Sequence, residues 1–117
     1  MPLTGGLPWW RMKAHAMALL MLNRRAAAEA VFGHMLARWP DDAYARASRC
    51  HVRAQLGRRD DAIADASALV QAHPQRSAGD WFNLAFLLEQ ADRVAEAEAA
   101  FRRALALDDK LDRAWYG

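Results

Sequence analysis

The side chains that could bind a metal or attack a bond are few in this sequence, and their spacing works against chemistry. His15, His34, His51 and His73 lie 19, 17 and 22 residues apart, so no two share a helical turn, whereas a zinc site draws its ligands in close pairs. Ser48, Ser67 and Ser77 sit in no Gly-x-Ser-x-Gly elbow, and no glycine-rich phosphate loop is present. Cys50 has Arg46, Arg49 and Arg53 nearby, and cations lower a thiol's pKa. A lone cysteine among alanines at helical spacing reads better as a small packing residue. The carboxylate pairs fare no better. Glu96 and Glu98 are two apart and point away from each other on a helix, while Asp60 and Asp61 open a helix where acids complement the dipole. The expectation is a protein with no catalytic residues, no cofactor and no metal, and so not an enzyme.

The elements around these residues are helical. The 117 residues include 27 alanines and only six β-branched side chains (Thr4, Val31, Val52, Ile63, Val70 and Val94), which excludes a sheet-based fold. The longest apolar run, Ala16 to Leu22, is far short of the roughly 20 residues that span a bilayer, so no membrane insertion is expected. The run is followed by Asn23-Arg24-Arg25 in place of a signal-peptidase site, and one cysteine allows no internal disulfide; both fit a cytoplasmic protein. Residues 1–58 carry nine basic and three acidic groups and residues 59–117 carry seven and eleven, a polarity suited to steering a partner.

After a leader at 1–8 with two prolines and two glycines, helical segments are broken at Asn23, Pro40, Gly57, Pro74, Asp92 and the Asp108-Asp109 pair. Asn23 to Gly57 and Pro40 to Pro74 are 34 residues each, and Gly57 to Asp92 is 35. Asn, Gly and Asp tolerate a left-handed turn after a helix and proline cannot continue one, so each period is helix, tight turn, helix, stop. Packing columns share the spacing: Ala16, Cys50 and Ala85; Ala28, Ala62 and Ala97; Phe32, Ala66 and Phe101. In the second copy Arg46, Arg49 and Arg53 replace large apolar residues, so that helix is expected to pack through arginine stems or shift outward; with Ala66 in place of phenylalanine as well, the second repeat is expected to be the least stable. Ser77 with Asp80 three later has the form of a capping box.

The stretch Trp81-x-x-Leu84-Ala85-x-x-Leu88, then Ala97-x-x-x-Phe101-x-x-Ala104-Leu105, resembles the tetratricopeptide repeat. The resemblance implies an all-α fold, a right-handed α-α superhelix of three stacked helix-turn-helix repeats at 9–42, 43–77 and 78–111, with 112–117 starting a fourth or capping the array. It also implies a concave groove lined by the first helices. Carried over by column, that groove is Trp10, Lys13, Met17 and Met21, then Tyr44, Ser48, His51 and Gln55, then Phe82, Asn83, Phe86 and Gln90. Trp10 and Phe82 could equally pack inward. Some family members grip a chaperone's terminal carboxylate with lysines, asparagines and arginine. Here Lys13 fits that pattern, but Met17, Ser48, Gly79 and Asn83 do not, so that clamp is absent.

The function implied is a bacterial-type scaffold or adaptor that binds a protein or peptide partner in an aromatic and Met-lined groove. The alternatives are a secretion-type chaperone holding an apolar client segment, and an RNA binder using Arg46, Arg49, Arg53, Arg58 and Arg59. No stacking aromatics interleave those arginines, so a nucleic-acid partner is not expected. Leu105, Trp115 and Tyr116 near the C-terminal face, which a full fourth repeat would cover, lead to an expectation of self-association there.

Overall fold

The computed structural model describes the backbone of residues 7–116 and the side chains of residues 7–108. The chain forms α1 (Trp9–Met21), α2 (Arg25–Arg38), α3 (Ala43–Gln55), α4 (Arg59–Ala72), α5 (Ala78–Gln90) and α6 (Val94–Tyr116). Among the described residues there is no strand. Of the leader 1–8 only residues 7 and 8 are described, and the side chains of Trp115 and Tyr116, with Gly117, lie outside the described residues.

The same turn follows α1, α3 and α5. Asn23, Gly57 and Asp92 adopt φ of 60°, 79° and 61°, the left-handed region in which glycine, asparagine and aspartate are tolerated best. In each case the next residue is an arginine whose backbone N–H reaches back five residues: Arg24 to the Leu19 carbonyl and Arg58 to that of Arg53 at 2.8 Å, and Arg93 to that of Leu88 at 2.9 Å. The left-handed residue donates three back, Asn23 to Leu20 at 3.0 Å, Gly57 to Ala54 at 3.1 Å and Asp92 to Glu89 at 3.0 Å. These paired bonds satisfy carbonyls that a helix end leaves without partners. The arginine carbonyl then accepts the first bond of the following helix, from Ala28, Ala62 and Ala97 respectively. One packing column is thereby fixed to one turn geometry.

The proline-marked breaks end in side-chain caps. Asp42 accepts from the Tyr44 N–H at 3.2 Å to open α3, and Ser77 accepts from the Gly79 N–H at 3.0 Å to open α5. The capping-box expectation is corrected: the Asp80 carboxylate is taken by Arg76 Nη1, at 2.7 and 2.8 Å, because that guanidinium, just ahead of the Ser77 cap, brings a full charge to it. A second correction falls at Asp108-Asp109, where α6 runs without interruption from Val94 to Tyr116. Aspartate costs a helix interior only a fraction of a kcal/mol, roughly 0.7 at most, and no proline or glycine follows to force a stop.

The chain divides into two compact units, residues 1–62 and 63–117, with the boundary inside α4. In the first, α2 packs on both α1 and α3. Its core is Met12, Ala16, Ala28, Val31, Phe32, Met35, Leu36, Ala45 and Val52. In the second, α5 and α6 form a hairpin that buries Leu84, Ala85, Leu87 and Leu88 with Ala97, Ala100 and Ala104. Alanine columns let these helices approach closely, and the leucines supply most of the apolar area removed from water.

Candidate interaction surface

The arginines of α3 neither leave the core open nor push the helix away. Arg46 is half-buried and donates from Nη2 to the Pro40 carbonyl at 3.0 Å. In the same column of α5, Trp81 donates from its indole nitrogen to the Pro74 carbonyl at 2.8 Å. The two prolines are themselves 34 residues apart, so one donor at one column ties each helix to the turn before it. Arg49 lies over Gly33 of α2, its Nη1 3.8 Å from where a β-carbon would stand. Arg53 Nε donates to Glu29 Oε2 at 2.9 Å, and Arg58 binds the other oxygen. Burial works to raise the Glu29 pKa, but the bond from Arg53 and the charge and bond of Arg58 outweigh it. The carboxyl stays below its ordinary value of 4.5.

Cys50, 1% exposed, packs in the small-residue column and points its thiol at the Ala62 carbonyl, 3.3 Å away. It is an internal packing group. Among the described residues no three His, Cys, Asp or Glu side chains are grouped to hold a metal ion. No helix among them is long and apolar enough to cross a membrane.

On α1, Trp10 (63% exposed), Met17 (48%) and Met21 (86%) stand outward. They are seven and four residues apart and so share a face. Arg11 covers the Trp10 ring at 5.5 Å. Lys13 is turned back onto its own protein, with Nζ 5.4 Å from the Trp9 ring centre and 4.6 Å from that of Tyr44. Trp9 and Tyr44 meet edge to face at 5.6 Å, Tyr44 meets Phe32 at 6.1 Å, and the Trp9 indole donates to Asp42. Tyr44 is therefore half core and half surface. A cavity of about 550 Å³ borders this cluster, lined by Trp9, Arg38, Trp39, Pro40, Asp41 and Asp42, and both of its indoles already carry a cation, Arg38 lying 4.3 Å from Trp39.

On α3, Ser48 is half-buried and His51 and Gln55 are exposed. All three line a second cavity of about 320 Å³ with Leu20, Arg25 and Val52. In the other unit, Phe86 is 55% exposed and packs edge to face on Phe101 at 5.3 Å. Phe82 is half-buried and tilts against the same ring at 6.2 Å. Asn83 is half-buried, Gln90 is exposed, and both are engaged by neighbouring groups. Two residues at these cavities lie outside the first-helix columns: Arg25 opens a second helix, and Trp9 stands one residue before Trp10.

Helical hairpins closed by one recurring left-handed turn, spaced 34 or 35 residues apart and packed through shared alanine columns, define a helical repeat protein. Residues 78–111 match the tetratricopeptide repeat family. No curated protein matches the chain. Among solved structures, MamA of AMB-1 superposes with a TM-score of 0.76 at 21% identity over 84% of this chain and 53% of its own. An RS-1 MamA double mutant gives 0.80 at 19% over 86% and 56%. MamA of MSR-1 gives 0.75 at 19% over 85% and 56%. This chain therefore spans about half the length of those structures, and at such identities the likeness is one of fold. That fold, all-α and built of repeated helical hairpins, is one that serves in general as a scaffold for protein interaction.

Proposed function

We propose that this protein is an interaction scaffold that binds a peptide or helix of a partner through the outward faces of its first helices, in repeats at 9–42, 43–77 and 78–111. The observation that carries this reading is the exposed apolar stripe of Trp10, Met17 and Met21 on α1, with Phe86 exposed on α5. Large apolar side chains left in water at helical spacing cost solubility unless something covers them, and methionines adapt to varied apolar partners. Tyr44, Ser48, His51 and Gln55 contribute a polar margin. With Cys50 as its one cysteine, the fold needs no oxidation and suits a reducing cytoplasm. Leu105, 58% exposed on α6, supports self-association as a further use of the surface.

Peptide display against the immobilised protein, followed by fluorescence anisotropy on the selected peptides, tests the reading. Met17→Glu and Phe86→Glu should each weaken binding at least tenfold with unchanged helicity. Peptides that bind both variants as tightly as the parent would overturn it.

A further inference from the structure

The cavity between Leu20, Arg25, Ser48, His51, Val52 and Gln55 has a one-sided chemistry. Arg25 Nε donates to Gln55 Oε1 at 3.1 Å, which occupies the amide's acceptor and leaves its NH2 group and both Nη groups of Arg25 as donors. Ser48 adds a hydroxyl and His51 a ring N–H. Among the described residues no carboxylate lines the space. The acid one turn along α2 from Arg25, Glu29, is already held by Arg53 and Arg58. The polar wall therefore offers donors and a fixed positive charge, while Leu20 and Val52 form an apolar wall beside it. A planar carboxylate on a short methylene stem matches both: the guanidinium fork takes its two oxygens and the apolar wall takes the stem. A phosphate dianion would find one guanidinium where it needs more positive charge. Met17 stands one turn before Leu20 on α1, so a chain with its acid in the cavity meets apolar surface immediately beside it.

We infer that this cavity receives the side-chain carboxylate of a glutamate or aspartate within a partner segment whose neighbouring residues are apolar. The inference rests on the interaction-scaffold reading and names the chemistry of its partner.

Two probes test it on the full chain. The first is N-acetyl-glutamate α-amide, titrated against the 15N-labelled protein. It should shift the Arg25 Nε–H and Gln55 side-chain resonances, and N-acetyl-glutamine amide should not. The second is a pair of C-terminally amidated twelve-residue libraries, randomised over Leu, Ile, Met and Phe around a central Glu or a central Gln. The Glu set should bind about tenfold tighter, and Arg25→Gln should erase that difference while circular dichroism stays unchanged. His51→Ala, at an exposed position, should reduce the difference without affecting the fold.

Equal binding of the two libraries, lost on Met17→Glu, would overturn the carboxylate site and leave the scaffold standing. Binding by neither would remove both. Preference for peptides with a free C-terminal acid over amidated ones would overturn the side-chain assignment. Displacement of the Arg25 shifts by oligouridylate more readily than by the Glu library would overturn it in favour of RNA.

Discussion

Where α5 carries Trp81, Leu84 and Leu88, α3 carries Arg46, Arg49 and Arg53 in the same columns, yet both are capped helices of 13 residues ending in the same left-handed turn. In α5 the column is held by burial: Leu84 is 6% exposed and Leu88 4%. In α3 it is held by bonds to α2 and to the preceding turn, Arg53 on Glu29 and Arg46 on the Pro40 carbonyl. One backbone geometry is thus compatible with two ways of holding it. The apolar way stabilises more per residue. The arginine way leaves guanidinium ends partly in water, where ion pairs are weakened by solvent and salt.

The largest test of this contrast is truncation in each helix. Leu88→Ala should cost about 2–5 kcal/mol by chemical denaturation, since it opens a cavity in a tight hairpin. Arg53→Ala should cost less than half of that, and hydrogen exchange should open residues 43–72 before 79–107. A greater loss from Arg53→Ala would invert the ranking of the two helices.

The turns come next. Gly57→Ala should cost about 1–2 kcal/mol, because a β-carbon is disfavoured at positive φ although no neighbour among the described residues lies within 4 Å of it. Asp92→Gly, at the equivalent turn after α5, should raise the melting temperature.

Arg46→Met and Trp81→Phe each remove the donor to a proline carbonyl while keeping apolar bulk, and each should cost about 0.5–1.5 kcal/mol. If Trp81→Phe alone were costly, the shared donor would not be what the column requires.

The smallest effect is electrostatic. Glu29→Gln should lower stability by a few tenths to about 1 kcal/mol at neutral pH, a modest figure because Arg58 is half in water. A carboxyl with a lowered folded-state pKa stabilises above its unfolded value and loses that contribution as pH falls through the folded one. The difference between parent and Glu29→Gln should therefore vanish as pH drops below 4.5 and stay constant from pH 6 to 8.

The helix breaks at Asn23, Gly57 and Asp92 were legible because left-handed turns accept few residue types, and a terminator repeating every 34 or 35 residues leaves little else to infer. The alanine and cysteine columns were legible for a similar reason: close helix approach excludes large side chains. The outward stance of Met17, Met21 and Phe86 followed from the columns. What escaped is the use of each polar side chain. Arg53 and Glu29 are 24 residues apart, as different in sequence as any unrelated pair, and only the folded distance makes them partners. Lys13 looked free to face a ligand, but two aromatic rings from separate helices attract it. Asp80 has the spacing of a partner for its own cap, but Arg76 takes its carboxylate. Asp108-Asp109 has a residue type that tolerates a left-handed turn, as Asp92 does, but tolerance does not compel a turn, and α6 continues through the pair.

The proline ties also bear on time. Arg46 and Trp81 reach carbonyls only six and seven residues behind them, and the left-handed turns close over five. Contacts so near in sequence form after small loops close, events of roughly 10–100 ns for a ten-residue loop, long before distant segments can search for one another. A hairpin such as α5 with α6 therefore has its entry latched and its turn set by its own neighbourhood. The chain can accumulate order one hairpin at a time, with no wait for a long-range encounter to decide the fold.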